Sequence, residues 1–323
     1  MSASLLTPSE IRQIAAALGV TPTKKLGQNF VHDASSVRKI VAESGVTEGA
    51  CVLEVGPGLG SLTLALLEAG AYVSAIEIDS VLAQALPATI HAHNPQAAER
   101  CAVLNADALR VTSAQQLAIP KAYVSSGDTP AENTLPEDVS ALRADLYEPT
   151  HLVANLPYNV AVPVLLTLLE ALPSLESVTV MVQAEVADRL AAQPGSRTYG
   201  VPSVKMAWYG DAKRGSAISR SVFWPVPNVD SALVHVDVHR RISPGLFGEE
   251  EYSGAEREQV FAVIDAAFSQ RRKTLRSALA GWAGSASRAE EILRAANVDP
   301  QLRGEKLGLE EFERIAAAAA VVI

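Results

Sequence analysis

From Cys51 onward, short apolar runs alternate with stretches of helical spacing. "CVLEV" reads as a buried strand, "GPGLG" as a turn, and "SLTLALLEAG" as a helix with Gly70 as its stop. "AYVSAIEID" and "CAVLNAD" follow as a second and a third strand. "HLVAN" is a fourth, and "SVTVMVQ" a fifth after a helix over 162–172. Strands alternating with helices predict the α/β class with a mainly parallel sheet. "DSALVHVDVH" alternates apolar and polar positions and predicts an antiparallel strand near the end of that sheet.

The segments around this core carry their own signals. Thr7, Pro8 and Glu10 announce a first helix, capped and boxed at its start and ended by Gly19. "TKKLGQNFVHD" is a basic loop, after which Asp33 caps a second helix that runs through Ser44 to Gly45. Residues 119–150 are rich in Pro, Ser, Asp and Glu and predict a mobile surface insertion between the third and fourth strands. After His239 the patterns "AEREQVFAVIDAAFSQ", "RKTLRSALAGWAG" and "SRAEEILRAANV" are helical. The expected organisation is a first domain over 1–239 and a small helical one over 240–323.

Composition narrows the function classes. The chain has 323 residues and a formal charge of −9, so nucleic acid can be held only through local basic patches. Its two cysteines, Cys51 and Cys101, stand singly, which argues against a disulfide framework or a zinc site and fits a cytoplasmic protein. No apolar run reaches the roughly 20 residues of a membrane helix. The N-terminus lacks the order of a secretion signal. His235 and His239 are four apart on a strand pattern, which is not the spacing of a helical metal pair, and no metal is expected.

Candidate chemistry gathers where strands end. Gly56, Gly58 and Gly60 follow the first strand and open a helix, so backbone N–H groups there can approach a ligand closely. The spacing is GxGxG, and the same glycines also fit a ligand-free turn. Glu77 ends the second strand, where an acid binds ribose hydroxyls, and Asp107 ends the third. A helix cap or a surface ion pair is the plainer reading of either acid. Ligands of open α/β sheets sit at this edge, and no phosphate-gripping GxxxxGK[ST] is present. A nucleoside without phosphates fits, with S-adenosylmethionine the obvious candidate.

"VANLPYNVAVP" sets Asn155, Leu156, Pro157 and Tyr158 at the same edge. An adenine amino group is a poor nucleophile because its lone pair is delocalised into the ring. The Asn155 side-chain oxygen and the Leu156 carbonyl are suitable acceptors for its two N–H bonds. Pro157 restricts Leu156 to extended geometry, and Tyr158 can stack on a flipped base. In isolation the stretch also fits a strand-to-helix turn.

The blocks "KKLGQNFVHD", "VLEVGPGLGSLT", "AIEID", "VANLPYNVAVP", "SVFWPVPNVDSALV" and "FSQRRKTLRSAL" together resemble the small-subunit ribosomal RNA adenine N6,N6-dimethyltransferases, over nearly the whole chain. The resemblance implies a Rossmann-like, seven-stranded methyltransferase domain dependent on S-adenosylmethionine, with a helical C-terminal domain that binds RNA. It implies activity in small-subunit biogenesis, with four methyl transfers to two adjacent adenosines in the 3′-terminal hairpin of 16S rRNA; a monomer is expected. Gln28, Asn29 and Val31 are then expected to close over the cofactor. Gly56 would meet its methionine part, Glu77 its ribose and Asp107 its adenine, and Asn155 would lie between cofactor and base. Phe223 is expected as a second aromatic wall facing Tyr158, with an ordinary core aromatic as the alternative. The long acidic insertion is the main departure from the family.

Arg271, Arg272, Lys273 and Arg276 form a dense group read as phosphate contacts at the start of a helix. Lys24 and Lys25 either join them in binding RNA or solvate the surface. Two other functions compete: a large-subunit RNA methyltransferase of the antibiotic-resistance type, and an assembly factor without essential catalysis. An adenine-specific DNA methylase fits less well, because those carry an acid where Asn155 stands.

Overall fold

The computed structural model of the chain describes residues 4–22, 28–125, 147–239 and 256–322. It divides into two compact units, Met1–Ala187 with Lys213–Val238, and Asp188–Ala212 with His239–Ile323. Lys24, Lys25 and most of the expected insertion, 126–146, lie outside the described residues.

The first unit is built on a sheet. Its strands in chain order are β1 (Phe30–Val31), β2 (Cys51–Val55), β3 (Tyr72–Glu77), β4 (Cys101–Asn105), β5 (His151–Asn155), β6 (Ser177–Gln183), β7 (Gly210–Ile218), β8 (Phe223–Trp224) and β9 (Ser231–Val238). Seven of them form one sheet in the order β4-β3-β2-β5-β6-β9-β7. The run from β4 to β6 is parallel, and β9 joins β6 antiparallel with Met181 opposite Leu233. Val52, Leu53, Val178 and Val180 are fully buried, which is why these strands read as continuous apolar runs rather than alternating ones. The strand order reverses at β2, with β3 on one side and β5 on the other, so a crevice opens at the carboxyl ends there.

Two local pairings were not expected from the sequence. β1 and β8 pair antiparallel, Phe30 opposite Trp224 and Val31 opposite Phe223, so the "basic loop" is pinned to the segment before β9. β7 occupies the sheet edge, and its mixed burial explains why "GDAKRGSAI" carries no strand pattern.

The helix signals act as written. Thr7 accepts from the Glu10 amide while Glu10 accepts from the Thr7 amide at 2.8 Å, closing the capping box. Asp33 caps Ala34–Ser44 through the Ser36 amide at 2.8 Å, and Gly45 ends that helix at φ 71°. The described ends of the 119–150 segment are anchored. Tyr147 is 2% exposed, its hydroxyl donates to the Val52 carbonyl, and its ring meets Tyr123 edge-on at 4.9 Å.

The second unit is helical, and its main elements are Arg257–Ser269, Ala286–Ala295 and Leu309–Val322. Val260, Ile264, Leu293, Phe312 and Ile315 form its core, and Trp208 and Tyr209 pack edge-on against Phe261. Among the described residues no helix is long and apolar enough to cross a membrane.

Candidate active site

The turn after β2 is shaped by its glycines. Gly56, Gly58 and Gly60 all take positive φ, 69°, 58° and 97°. A Cβ on Gly58 would stand 2.9 Å from Phe30 Cε1, so the turn and the β1 segment approach as closely as they do only because no side chain intervenes. Gly60 has a different task from the one expected. It is absent from the cavity lining, and a Cβ there would meet Leu86 Cδ1 at 2.7 Å. It packs the helix Ser61–Glu68 tightly instead of facing a ligand.

Glu77, at the end of β3, is 5% exposed and is held from two sides. The Gly58 amide donates to one carboxylate oxygen at 3.0 Å and the Asp79 amide to the other at 2.9 Å. Burial pushes its pKa up, and these two donors oppose the rise. Asp107 lies just beyond β4 rather than in it. One of its oxygens caps a short turn through the Leu109 amide at 3.0 Å, while the residue still lines the cavity.

Gln28, Asn29, Phe30 and Val31 line the same cavity from the N-terminal segment. Gln28 donates to Asp79 at 3.2 Å, and Asp79 in turn caps the helix Ser80–His93. Asn155, the last residue of β5, donates from its side-chain nitrogen to the Asn29 carbonyl at 3.0 Å. A carbonyl only accepts, so the atom facing Asn29 must be the amide NH2, and Asn155 Oδ1 is left for another donor. Pro157 lines the cavity beside it.

The expected aromatic walls are not both present. Tyr158 is partly buried, and its hydroxyl bonds the Ser231 hydroxyl at 2.6 Å. Phe223 is 1% exposed and belongs to the core with Phe30, Val153 and Leu233. The β1–β8 pairing is the reason: it turns Phe223 inward, so the ring offers no open face to a base. Neither ring lines the cavity, whereas Phe30 does, stacked on Trp224 at 6.2 Å between centroids.

Glu54 was missed, although an acid inside an otherwise apolar strand was visible as "VLEVG". It lines the cavity at 1% exposure and accepts from the Thr63 hydroxyl at 2.7 Å. Burial pushes its carboxyl up to about 8, with the Thr63 hydroxyl opposing and the Glu77 charge adding to the rise. The cleft encloses about 940 Å³ of empty space including its open mouth. A nucleoside-sized, phosphate-free ligand with a hydroxylated sugar fits this lining. Glu77 is a buried acceptor for the sugar, and glycine backbone lies where a side chain would fill the floor.

The basic cluster of the second unit corrects one expectation. Gln270 leaves the helix at φ −130° and ψ 68°, so Arg271, Arg272 and Lys273 sit in the turn between helices and not at a helix start. Only Arg276 is helical, in the short Leu275–Ala278. Arg271 is bound to Glu305 at 3.1 Å and to the Arg197 carbonyl at 2.7 Å. Arg276 pairs with Glu290 at 2.8 Å. Arg272 and Lys273 are exposed and form no side-chain ion pair with another described residue. His235 and His239 are each engaged with one aspartate, Asp237 and Asp211, and among the described residues no group of acids, histidines and cysteines is arranged for a metal.

Comparison with known proteins places this geometry. The family model for ribosomal RNA adenine dimethylase matches residues 20–319. The ribosomal RNA small subunit methyltransferase A of Streptomyces avermitilis is 56% identical over 97% of this chain and 93% of its own length. That of Thermobifida fusca is 55% identical over 97% and 96%. Among solved structures, a dimethyladenosine transferase from Plasmodium falciparum aligns at TM-score 0.62 and 19% identity, covering 88% of this chain and 95% of that one. The 23S rRNA methyltransferase ErmE aligns at 0.56 and 24%, covering 90% and 100%. These two likenesses are of fold.

Proposed function

The chain belongs to the ribosomal RNA adenine dimethylase family, and from that premise we propose that it dimethylates the N6 amino groups of two adjacent adenosines in the 3′-terminal hairpin of 16S rRNA, drawing on S-adenosylmethionine. The small-subunit target rests on the names of relatives at 55–56% identity that cover almost the whole chain. When bound, S-adenosylmethionine supplies an electrophilic methyl group on a sulfonium sulfur.

The residues take these parts. Glu77 accepts from the ribose hydroxyls. Gly56 and Gly58 leave backbone against the methionine part, and Asp107 faces the adenine. Gln28, Asn29 and Val31 cover the cavity. Asn155 Oδ1 and the Leu156 carbonyl accept the two N–H bonds of the target amino group. That draws its lone pair out of conjugation without removing a proton first, so a neutral amide suffices. The Leu156 N–H is fixed to the Met181 carbonyl at 3.1 Å, which holds the Asn155–Leu156 peptide in place, and Pro157 restricts the backbone that follows.

One observation carries the reading: the Asn29 carbonyl fixes the Asn155 amide with its oxygen turned away from Asn29, at the rim of the cavity. The test is reconstitution. The protein is incubated with S-adenosylmethionine and small subunits lacking the modification, and the digested RNA is analysed by mass spectrometry. Two adjacent dimethyladenosines are expected. No dimethyladenosine in the small-subunit RNA overturns the reading.

A further inference from the structure

The buried residues of β9 are apolar, with one exception. Ala232, Leu233, Val234 and Val236 are buried, and so is Ser231 at the start of the strand, at 0% exposure. A buried hydroxyl is costly unless it is paired. This one is paired with the Tyr158 hydroxyl at 2.6 Å, at the short end of the range for O–H···O bonds. Ser231 is itself fixed to the sheet. It registers with Gln183 at the end of β6, and the Asp230 carbonyl just before it accepts from the Ala184 amide at 2.9 Å.

Tyr158 is also held at its backbone. Pro157 precedes it, and the Val160 amide donates to the Pro157 carbonyl at 3.2 Å, closing the turn around it. Pro157 and Val160 line the cavity, and Tyr158 stands between them in the chain, with its ring only partly buried. A base whose amino group is held by Asn155 Oδ1 and the Leu156 carbonyl therefore lies at the stretch of chain that carries this ring.

The two methyl transfers to one adenosine make unequal demands. In the first, N6 carries two N–H bonds, one for each acceptor. Its product keeps a single N–H, so in the second transfer one acceptor has no donor to hold. The base is then aligned by one hydrogen bond and by what packs on its faces. We infer that Ser231 is a positioning residue for this second transfer: by pinning the Tyr158 hydroxyl it fixes the ring against which the monomethylated base is aligned. The inference rests on the proposed dimethylation and names a residue that carries it past the halfway point. In that step the methyl–sulfur bond of the donor breaks with its electron pair left on sulfur, the N6 lone pair forms the new N–C bond, and the remaining N6 proton leaves to solvent.

The ratio of mono- to dimethyladenosine tests this. Unmodified small subunits are incubated with S-adenosylmethionine and the unaltered protein, Ser231→Ala, Tyr158→Phe or the double variant. Mass spectrometry of the digested RNA times the two transfers. In each variant the second transfer should slow about five- to tenfold, the scale of one hydrogen bond, and the first far less, so that monomethyladenosine accumulates. The double variant should be no slower than either single one, because each removes the same bond. Thermal unfolding gives a readout apart from activity. Ser231→Ala should cost stability in the unaltered protein and little or none in the Tyr158→Phe background, where the serine has already lost its partner.

A merely structural bond would lower stability and leave the product ratio where it is, and that result overturns the inference. So does equal slowing of both transfers, or a changed ratio in Ser231→Ala that Tyr158→Phe does not reproduce. If Ser231→Ala does not fold, Tyr158→Phe, which alters only a partly exposed ring, carries the same test. Absence of any methylated product from the folded unaltered protein is a different result and overturns the proposed function itself.

Discussion

The side-chain amide of Asn155 and the backbone carbonyl of Asn29 meet at 3.0 Å, joining the end of β5 to the N-terminal segment that covers the cavity. That bond both settles which atom of the amide is free and ties the end of β5 to the N-terminal segment.

Removing it should appear in the rate. Asn155→Ala is expected to slow single-turnover methyl transfer at saturating cofactor by about 10²–10³-fold, the scale of losing one transition-state hydrogen bond. RNA affinity should fall far less. Asn155→Asp should not rescue the rate, because it sets a carboxylate oxygen against the Asn29 carbonyl. Near-normal chemistry in either variant would remove Asn155 from its assigned role.

Glu77 accepts from two backbone amides at once, which an amide side chain cannot reproduce. Glu77→Gln turns an NH2 toward either Gly58 or Asp79 and should weaken cofactor binding by about 1–3 kcal/mol. Calorimetry on the folded variant decides it, and unchanged affinity would mean the ribose is held elsewhere.

Gly58→Ala combines a left-handed φ with a Cβ 2.9 Å from the Phe30 ring. A destabilisation of about 1–3 kcal/mol is expected from the backbone conformation alone, together with a loss of cofactor affinity as Phe30 and the turn separate. Thermal unfolding with and without cofactor reads both. A variant matching the parent in each would show that the turn and the β1 segment adjust freely.

The structure redirects the salt experiment to Arg272 and Lys273, because Arg271 is already committed to Glu305 and the Arg197 carbonyl. Arg272→Ala with Lys273→Ala should weaken RNA binding and flatten the slope of log affinity against log salt by about 1–2 units, with cofactor affinity unchanged. Arg271→Ala should mainly lower thermal stability. An unaltered salt slope in the double variant would leave phosphate contact to other residues.

Stability should also respond to pH through Glu54. Its folded pKa, about 8, lies above the ordinary 4.5. Below pH 4.5 both folded and unfolded chains hold that proton; between the two values only the folded chain does. Raising pH through this window therefore favours unfolding, and the cofactor-free protein should lose stability from about pH 4.5 to about 8. Denaturant melts of Glu54→Gln should show a shallower decline. Equal slopes would place the buried proton elsewhere.

Much of the frame was legible because its signals are local. The Thr7 and Asp33 caps, the Gly45 stop and the parallel strands each depend on a few neighbouring residues, and each forms as the sequence indicates. What escaped depends on distant partners. A two-residue strand such as β1 has no period to detect, and only its pairing with Trp224 and Phe223 makes it a strand. The same pairing buries Phe223, for which only the family resemblance suggested a wall of the site. Gly60 looked like its two neighbours in the motif, yet Leu86, from another helix, sets its task. Glu54 was readable in principle, since a strand covered on both faces has little reason to carry an acid.

The position of β9 has a further consequence. It is the last of the seven strands to leave the ribosome, yet it lies inside the sheet, between β6 and β7. Until Ser231–Val238 has been translated, β6 has an open edge rich in Val178, Val180, Met181 and Val182, a template for pairing with other chains. A ribosome that stalls or terminates before this strand releases a product prone to aggregation rather than a smaller working enzyme. Chaperone demand should therefore be greatest in the interval of synthesis between β6 and β9.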